Sequence, residues 1–164
     1  MSVQEIPFRG VRVRYESAKS FDELTAALFA AVGDTPAPIE DAAKQHDDWE
    51  SYERAVRAYV GPYGFMLFAV LNHAGWINKA GIDRKVLRVI IGNPLIAITM
   101  LRHDVTAGLF APVELLLTSE DEGRSALTYV KPSSLMVVEP NPDLEAAATA
   151  LDDKLAALAA AVTA

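Results

Sequence analysis

KVLRVIIGNPLIAITMLRH, residues 85 to 103, changes character at its midpoint. Val86 to Ile91 is an apolar, β-rich run, and after Gly92-Asn93-Pro94 a second apolar run ends at Arg102-His103. Gly92 permits a backbone turn that a Cβ would resist. Asn93 can accept from the free amides that open a helix. Pro94 suits the first helical position, where a missing N–H leaves nothing unpaired. The stretch therefore reads as strand, tight turn and helix.

Upstream, Phe65 to Leu71 (FMLFAVL) is continuously apolar, as expected of a central strand covered on both faces. Asn72 then stands before a helix from His73 to Ala80, with Gly81 as its stop, so Asn72 repeats the layout at Asn93. Nearer the N-terminus, Phe8 to Glu16 alternates, with Val11, Val13 and Tyr15 against Arg12, Arg14 and Glu16, which is a half-buried strand. Ser20 and Glu23 stand in capping-box spacing ahead of a helix from Phe21 to Val32, stopped by Gly33. Residues 35 to 62 read as a helical insertion or flap: Ile39 to Gln45, then a helix from Asp48 that spaces Trp49, Tyr52, Val56 and Tyr59 by three and four.

Downstream, Val113 to Ser119 and Ser125 to Val130 flank Asp121-Glu122-Gly123, a turn signal that makes them a β-hairpin. Pro132 to Met136 forms a single turn. The last helix begins at Leu144 and carries the stripe Leu144, Ala148, Leu151, Leu155, Leu158 and Val162, with Glu145, Asp152 and Lys154 opposite. That stripe packs on the sheet or on a partner subunit. The fold class is α+β, a single-layer mixed or antiparallel sheet of about five strands with helices packed on it, in one compact domain over residues 1 to 164.

The chain is long enough to bury roughly two thirds of its unfolded surface. Its formal net charge of −7 repels phosphate backbones and anionic lipid, so neither nucleic acid nor membrane is an expected partner. The arginines Arg9, Arg12 and Arg14, with Arg84, Lys85 and Arg88, either gather into a local basic patch or lie on solvated strand faces. There is no cysteine, which removes disulfides and thiolate chemistry and fits a reducing compartment. No stretch spans a bilayer, which needs about 20 apolar residues, and MSVQEIPFRG lacks the apolar core of a signal peptide. The expected location is the cytoplasm.

Taken in order, GFMLFAVLNHAGW, RVIIGNP, APVELLLTSEDEG and TYVKPSSL resemble the domain-of-unknown-function family DUF302, in its bacterial branch with GNPLI and APV segments. The resemblance covers roughly Phe8 to Val162. It implies a compact α+β fold with helices on a sheet, often assembled as a homodimer, and it implies no reaction and no catalytic residue. Members carry other residues at the place of His73, so the resemblance makes no histidine essential.

Among candidate site residues, Asn72 and Asn93 are N-caps, or mark helix starts whose free amides can hold a carboxylate or phosphate. If their strands are parallel neighbours, both openings lie at one sheet edge. His73 and His103 could then share a site with Trp76. Asp104 beside His103, and Glu114 inside an apolar strand, are the acid–base candidates, although alternation can equally turn Glu114 to water. No metal ligand set, haem spacing, fuller phosphate loop or GxSxG elbow is present, and no cofactor is expected. The leading expectation is a homodimer that binds a small, partly apolar molecule near Asn72, His73, Trp76, Asn93 and His103. The alternatives are an enzyme using a histidine and a carboxylate for proton transfer, and a dimeric interaction module without ligand.

Overall fold

The computed structural model describes residues 1–164. Strands β1 (Arg12–Ser17), β2 (Met66–Asn72), β3 (Val86–Gly92), β4 (Val113–Ser119) and β5 (Ser125–Val130) form one open sheet in the order β1-β5-β4-β3-β2. Every neighbouring pair is antiparallel. Seven helices accompany it: α1 (Phe21–Val32), α2 (Ile39–Gln45), α3 (Trp49–Arg57), α4 (Ala74–Ile77), α5 (Pro94–Leu101), α6 (Pro132–Met136) and α7 (Pro142–Thr163). The fold is α+β, as the residue patterns indicate.

The strands alternate, and the alternation sorts the two faces of the sheet. Leu87, Val89 and Ile91 of β3, Val113, Leu115 and Leu117 of β4, and Leu127 and Tyr129 of β5 are buried on one face. Onto that face α1 brings Leu24 and Leu28, and α7 brings its stripe of Leu144, Ala148, Leu151, Leu155, Leu158 and Val162, all within one core. The stripe is thus consumed inside the chain and has nothing left for a partner subunit. The capping box at Ser20 and Glu23 forms as its spacing requires, and Asn141 caps α7 by accepting from the Leu144 amide.

Several details differ from the sequence reading. Phe65 to Leu71 leads into an edge strand rather than a central one: Phe65, Met66 and Leu67 are buried, but Val70 and Leu71 are exposed. A continuous apolar run cannot by itself tell burial on two faces from burial of one end. The first strand starts at Arg12 rather than Phe8: the Val11 carbonyl still accepts from the Lys131 amide in line with the β1–β5 register, but the Val11 amide donates to Ser134 Oγ in α6. Asp152, placed opposite the α7 stripe by spacing, is buried, since α6 covers that flank and its Ser133 amide donates to Asp152 Oδ1 at 3.0 Å. Gly92 keeps an ordinary φ and is needed for space: a Cβ there would come within 2.8 Å of the Phe68 ring and 3.1 Å of Pro112.

Residues 35 to 62 run outside the sheet. The Ala37 amide donates to the Leu67 carbonyl on the outer side of β2, Val56 is fully buried, and Trp49 and Tyr59 face solvent. Gly61 sits where any Cβ would strike the backbone carbonyls of Ala31 and Phe65, so this junction accepts only glycine.

Leu155 has no exposed surface and lies in the centre of the core. Leu155→Ala should lower the unfolding free energy by about 2–5 kcal/mol, the cost of the lost transfer energy and the cavity left behind. Urea denaturation measures the loss, and native mass spectrometry at the same concentration should show an unchanged oligomeric state. A changed mass with unchanged stability would mean that the stripe serves a partner after all.

Candidate functional site

The antiparallel pairing of β2 and β3 decides where the polar turn residues lie. Met66 pairs with Gly92 and Asn72 with Leu87. Asn93 therefore leaves the sheet at one end and Asn72 at the other, six residues or about 20 Å along the strand. The shared opening that parallel strands would give does not form. Asn93 is buried; its Oδ1 accepts from the Leu95 amide at 2.8 Å and its Nδ2 donates to the Gly64 carbonyl at 2.9 Å. Asn72 Oδ1 accepts from the Ala74 amide at 2.9 Å. Beside it, Trp76 Nε1 donates to His73 Nδ1 at 3.3 Å, with the rings edge to face. Trp76 is nonetheless 61% exposed.

The acid–base candidates separate as well. His103 follows α5 and is exposed, and its backbone carbonyl accepts from Asn141 Nδ2 at 3.5 Å. Asp104 turns away from it to cap the 3₁₀ turn Val105–Leu109, accepting from both the amide and the hydroxyl of Thr106. The Thr106 hydroxyl, then its amide, hold the Asp104 carboxyl below its ordinary value. Glu114 points to the uncovered face of the sheet, where Arg88 Nε donates to its Oε2 at 3.1 Å and Arg88 Nη2 meets its Oε1. None of the histidines forms an ion pair with a carboxylate.

That uncovered face carries a trough of about 780 Å³. Both α1 and α7 lie on the opposite face, so here the strands present their other side chains. The cross-strand row Arg14, Thr128, Leu116, Arg88 runs through four strands, and Arg12 faces Val130 in the next row. At the sheet end where β4 begins and β5 ends, the segment Leu109 to Pro112 and α6, through Leu135, raise an apolar wall. Phe8 packs edge to face on Phe110 and steadies that wall. The peptide bond Ala111–Pro112 is cis. A second, smaller cavity of about 220 Å³ lies between Phe65, Phe68, Asn93 and Ile96 and is almost wholly apolar. Asn93 lines it, but both of its side-chain polar groups are already bonded.

Of the residues singled out by sequence, the trough contains only Glu114. It gathers Arg12, Arg14 and Arg88, three of the residues for which the sequence left a local basic patch and separate solvated strand faces open. The missing signal is register, which pairs β1 with β5 from the far end of the chain. At the trough's other rim Glu120 Oε1 accepts from the Thr118 hydroxyl at 2.6 Å and lies 3.1 Å from both Arg14 Nη2 and Arg84 Nη2. The Thr118 hydroxyl, then Arg14 and Arg84, hold the Glu120 carboxyl below its ordinary value against the opposing effect of partial burial. On the core side, the Tyr129 hydroxyl is pushed up by burial and by Tyr15 and Asp152 nearby. Asp152 Oδ2 has no hydrogen-bond partner, with Lys131 Nζ 3.7 Å away.

Fold and site together define a two-layer α+β protein whose sheet is sealed by helices on one face and open on the other. The chain belongs to the domain-of-unknown-function family DUF302, which matches residues 42–162. It is also similar to the crystal structure of an uncharacterized conserved DUF302 protein from Bacillus stearothermophilus, with a TM-score of 0.65 at 18% identity over 92% of this chain and 97% of that one. At that identity the likeness is one of fold. No curated protein matches the chain. No helix is long and apolar enough to cross a membrane.

The Glu120 network has a pH signature. A carboxyl whose folded pKa is depressed stabilises the fold above its ordinary value, 4.5 here, and loses that contribution as pH falls through the lowered value. Glu120→Gln should therefore be less stable than the wild type at pH 7, and the gap should close as the pH is taken below about 4. Urea midpoints of both proteins at pH 7 and pH 3 check this; a gap that persists at pH 3 would assign the effect to packing instead of charge.

Proposed function

We propose that this DUF302 chain is a homodimeric, cytoplasmic protein that binds a small, partly apolar molecule in the trough over the open face of its sheet. The observation that carries the reading is the trough itself. Its volume of about 780 Å³ falls within the usual size of small-molecule sites, and the 220 Å³ cavity at Asn93 falls below it. Its floor of Leu116 and Val130 and its wall of Leu109 and Leu135 offer apolar surface, with a few polar side chains at the rims to set orientation. This moves the expected site away from Asn72, His73, Trp76, Asn93, His103 and Asp104 and keeps Glu114. In this reading residues 35 to 62 form a helical insertion beside the site rather than part of it.

The dimer is assigned to the free half of β2. Beyond Leu67 the outer side of this edge strand makes no backbone hydrogen bond outside the sheet, and Val70, Leu71, Trp76 and Ile82 are exposed on or just after it. Edge strand β1 carries Arg12, Arg14 and Glu16 instead, the usual defence of an edge against pairing. Proton transfer by a histidine and a carboxylate has no such pair to stand on here.

Two measurements test the two parts. N-phenyl-1-naphthylamine, a neutral fluorescent probe, should bind one per chain and saturate, and Leu116→Glu should abolish binding; a probe response that ignores Leu116→Glu would remove the trough from the proposal. Native mass spectrometry should show twice the 17.7 kDa chain mass, and Trp76→Ser with Leu71→Ser should return it to the monomer. A monomeric wild type would remove the dimer.

A further inference from the structure

We propose that the molecule held in the trough carries an anionic group, a carboxylate, sulfonate or phosphate, and that Arg12 is the residue that receives it. The inference rests on the trough reading above and adds the chemical class of its occupant.

The first observation is the distribution of charge. The chain has a net charge of −7, yet the residues lining the trough include three arginines, Arg12, Arg14 and Arg88, against a single acidic residue, Glu114. A general excess of acid repels anions at long range, and within about 10 Å, the screening length at ordinary salt, the local arginines decide.

The second observation is how those arginines are already engaged. Arg88 spends its guanidinium on both oxygens of Glu114. Arg14 lies 3.1 Å from Glu120 and 3.8 Å from Glu16. Arg12 makes no ion pair and no side-chain hydrogen bond. Its planar fork of five donors matches the geometry of a carboxylate or phosphate and is free to receive one.

The third is placement. Arg12 sits directly across the sheet from Val130, and Leu116 lies diagonally behind Val130 on β4. An amphipathic anion can therefore lay its apolar body over Val130 and Leu116, against Leu109 and Leu135, while its head reaches the β1 rim. Arg14, two residues along the same strand face, adds attraction without leaving Glu120. Glu114, which lies beyond Val130 in the same row, is the one carboxylate lining the trough, and Arg88 already holds it.

The test compares 8-anilinonaphthalene-1-sulfonate with N-phenyl-1-naphthylamine, two probes of the same aromatic body that differ by the sulfonate. In the wild type the sulfonate should bind one per chain and about tenfold or more tighter, in keeping with a charge-assisted hydrogen bond. Arg12→Gln should erase that preference and leave the neutral probe within twofold, and 0.5 M salt should weaken the sulfonate alone. If both probes bind and compete, and Arg12→Gln changes neither, the anionic head is wrong and the apolar trough stands. If neither probe binds, or Leu116→Glu affects neither, the trough reading fails and the inference fails with it. If the preference survives Arg12→Gln but is lost in Arg14→Gln, the assignment to Arg12 is overturned.

Discussion

The fold depends on two helices covering the same face of the sheet. α1 and α7 are far apart in sequence, yet Leu24 and Leu28 of one and Leu151, Leu155 and Leu158 of the other converge on Val89, Ile91, Leu115, Leu117 and Leu127. Each buried leucine contributes on the order of 1.5–3 kcal/mol relative to exposure, and the alternation of the strands lets only one face collect such residues. The helices have no reason to divide between the two sides. The second face is left to solvent, and the trough on it is a consequence of that asymmetry.

An open sheet face in water needs polar side chains that do not collapse it. Here Arg88 pairs with Glu114 on the neighbouring strand, and Arg14 reaches past β5 to Glu120, which also accepts from the Thr118 hydroxyl. Such exposed pairs are worth about 0–1 kcal/mol each, so they hold the face in shape without holding it shut. The apolar residues between them, Leu116 and Val130, stay only partly covered. That combination of loosely held charges around an apolar floor is what separates this trough from the smaller cavity at Asn93, where the polar groups are already satisfied.

Local readings of the sequence succeeded where the determinant is local. The Ser20 capping box, the cap at Asn93, the β4–β5 hairpin and the α7 stripe all depend on residues within a few positions of one another, whereas the cap of α4 falls on His73 and Asn72 holds only the Ala74 amide. The α+β class and the family resemblance followed from their order along the chain. Strand order and direction were not legible, because β1 finds β5 across more than a hundred residues and β2 turns antiparallel to β3. The site expectation therefore scattered: it joined Asn72 and Asn93 by an assumed parallel pairing. Asp152 misled for the same reason, since the helix that buries it, α6, is only five residues long and carries little periodicity. Arg12 and Arg14 were visible as a wet face, but only register puts that face beside Arg88.

The two parts of the proposed function constrain each other. A dimer made by stacking the open faces would bury the arginines and fill the trough, leaving no room for a ligand and setting Arg12 against its own copy. A dimer made along β2 extends the sheet sideways instead and leaves both troughs open. The two sheet edges differ in the way this requires. β1 carries charges of both signs, which discourage strand addition, while the free half of β2 presents Val70 and Leu71 beside exposed Trp76. Residues 35 to 39 already occupy the other half of that edge through the Ala37 amide, so a second chain can add only beyond Leu67. The edge that is free to pair is the one at the opposite side of the sheet from Arg12, and the ligand proposed for the trough never has to compete with the partner proposed for the edge.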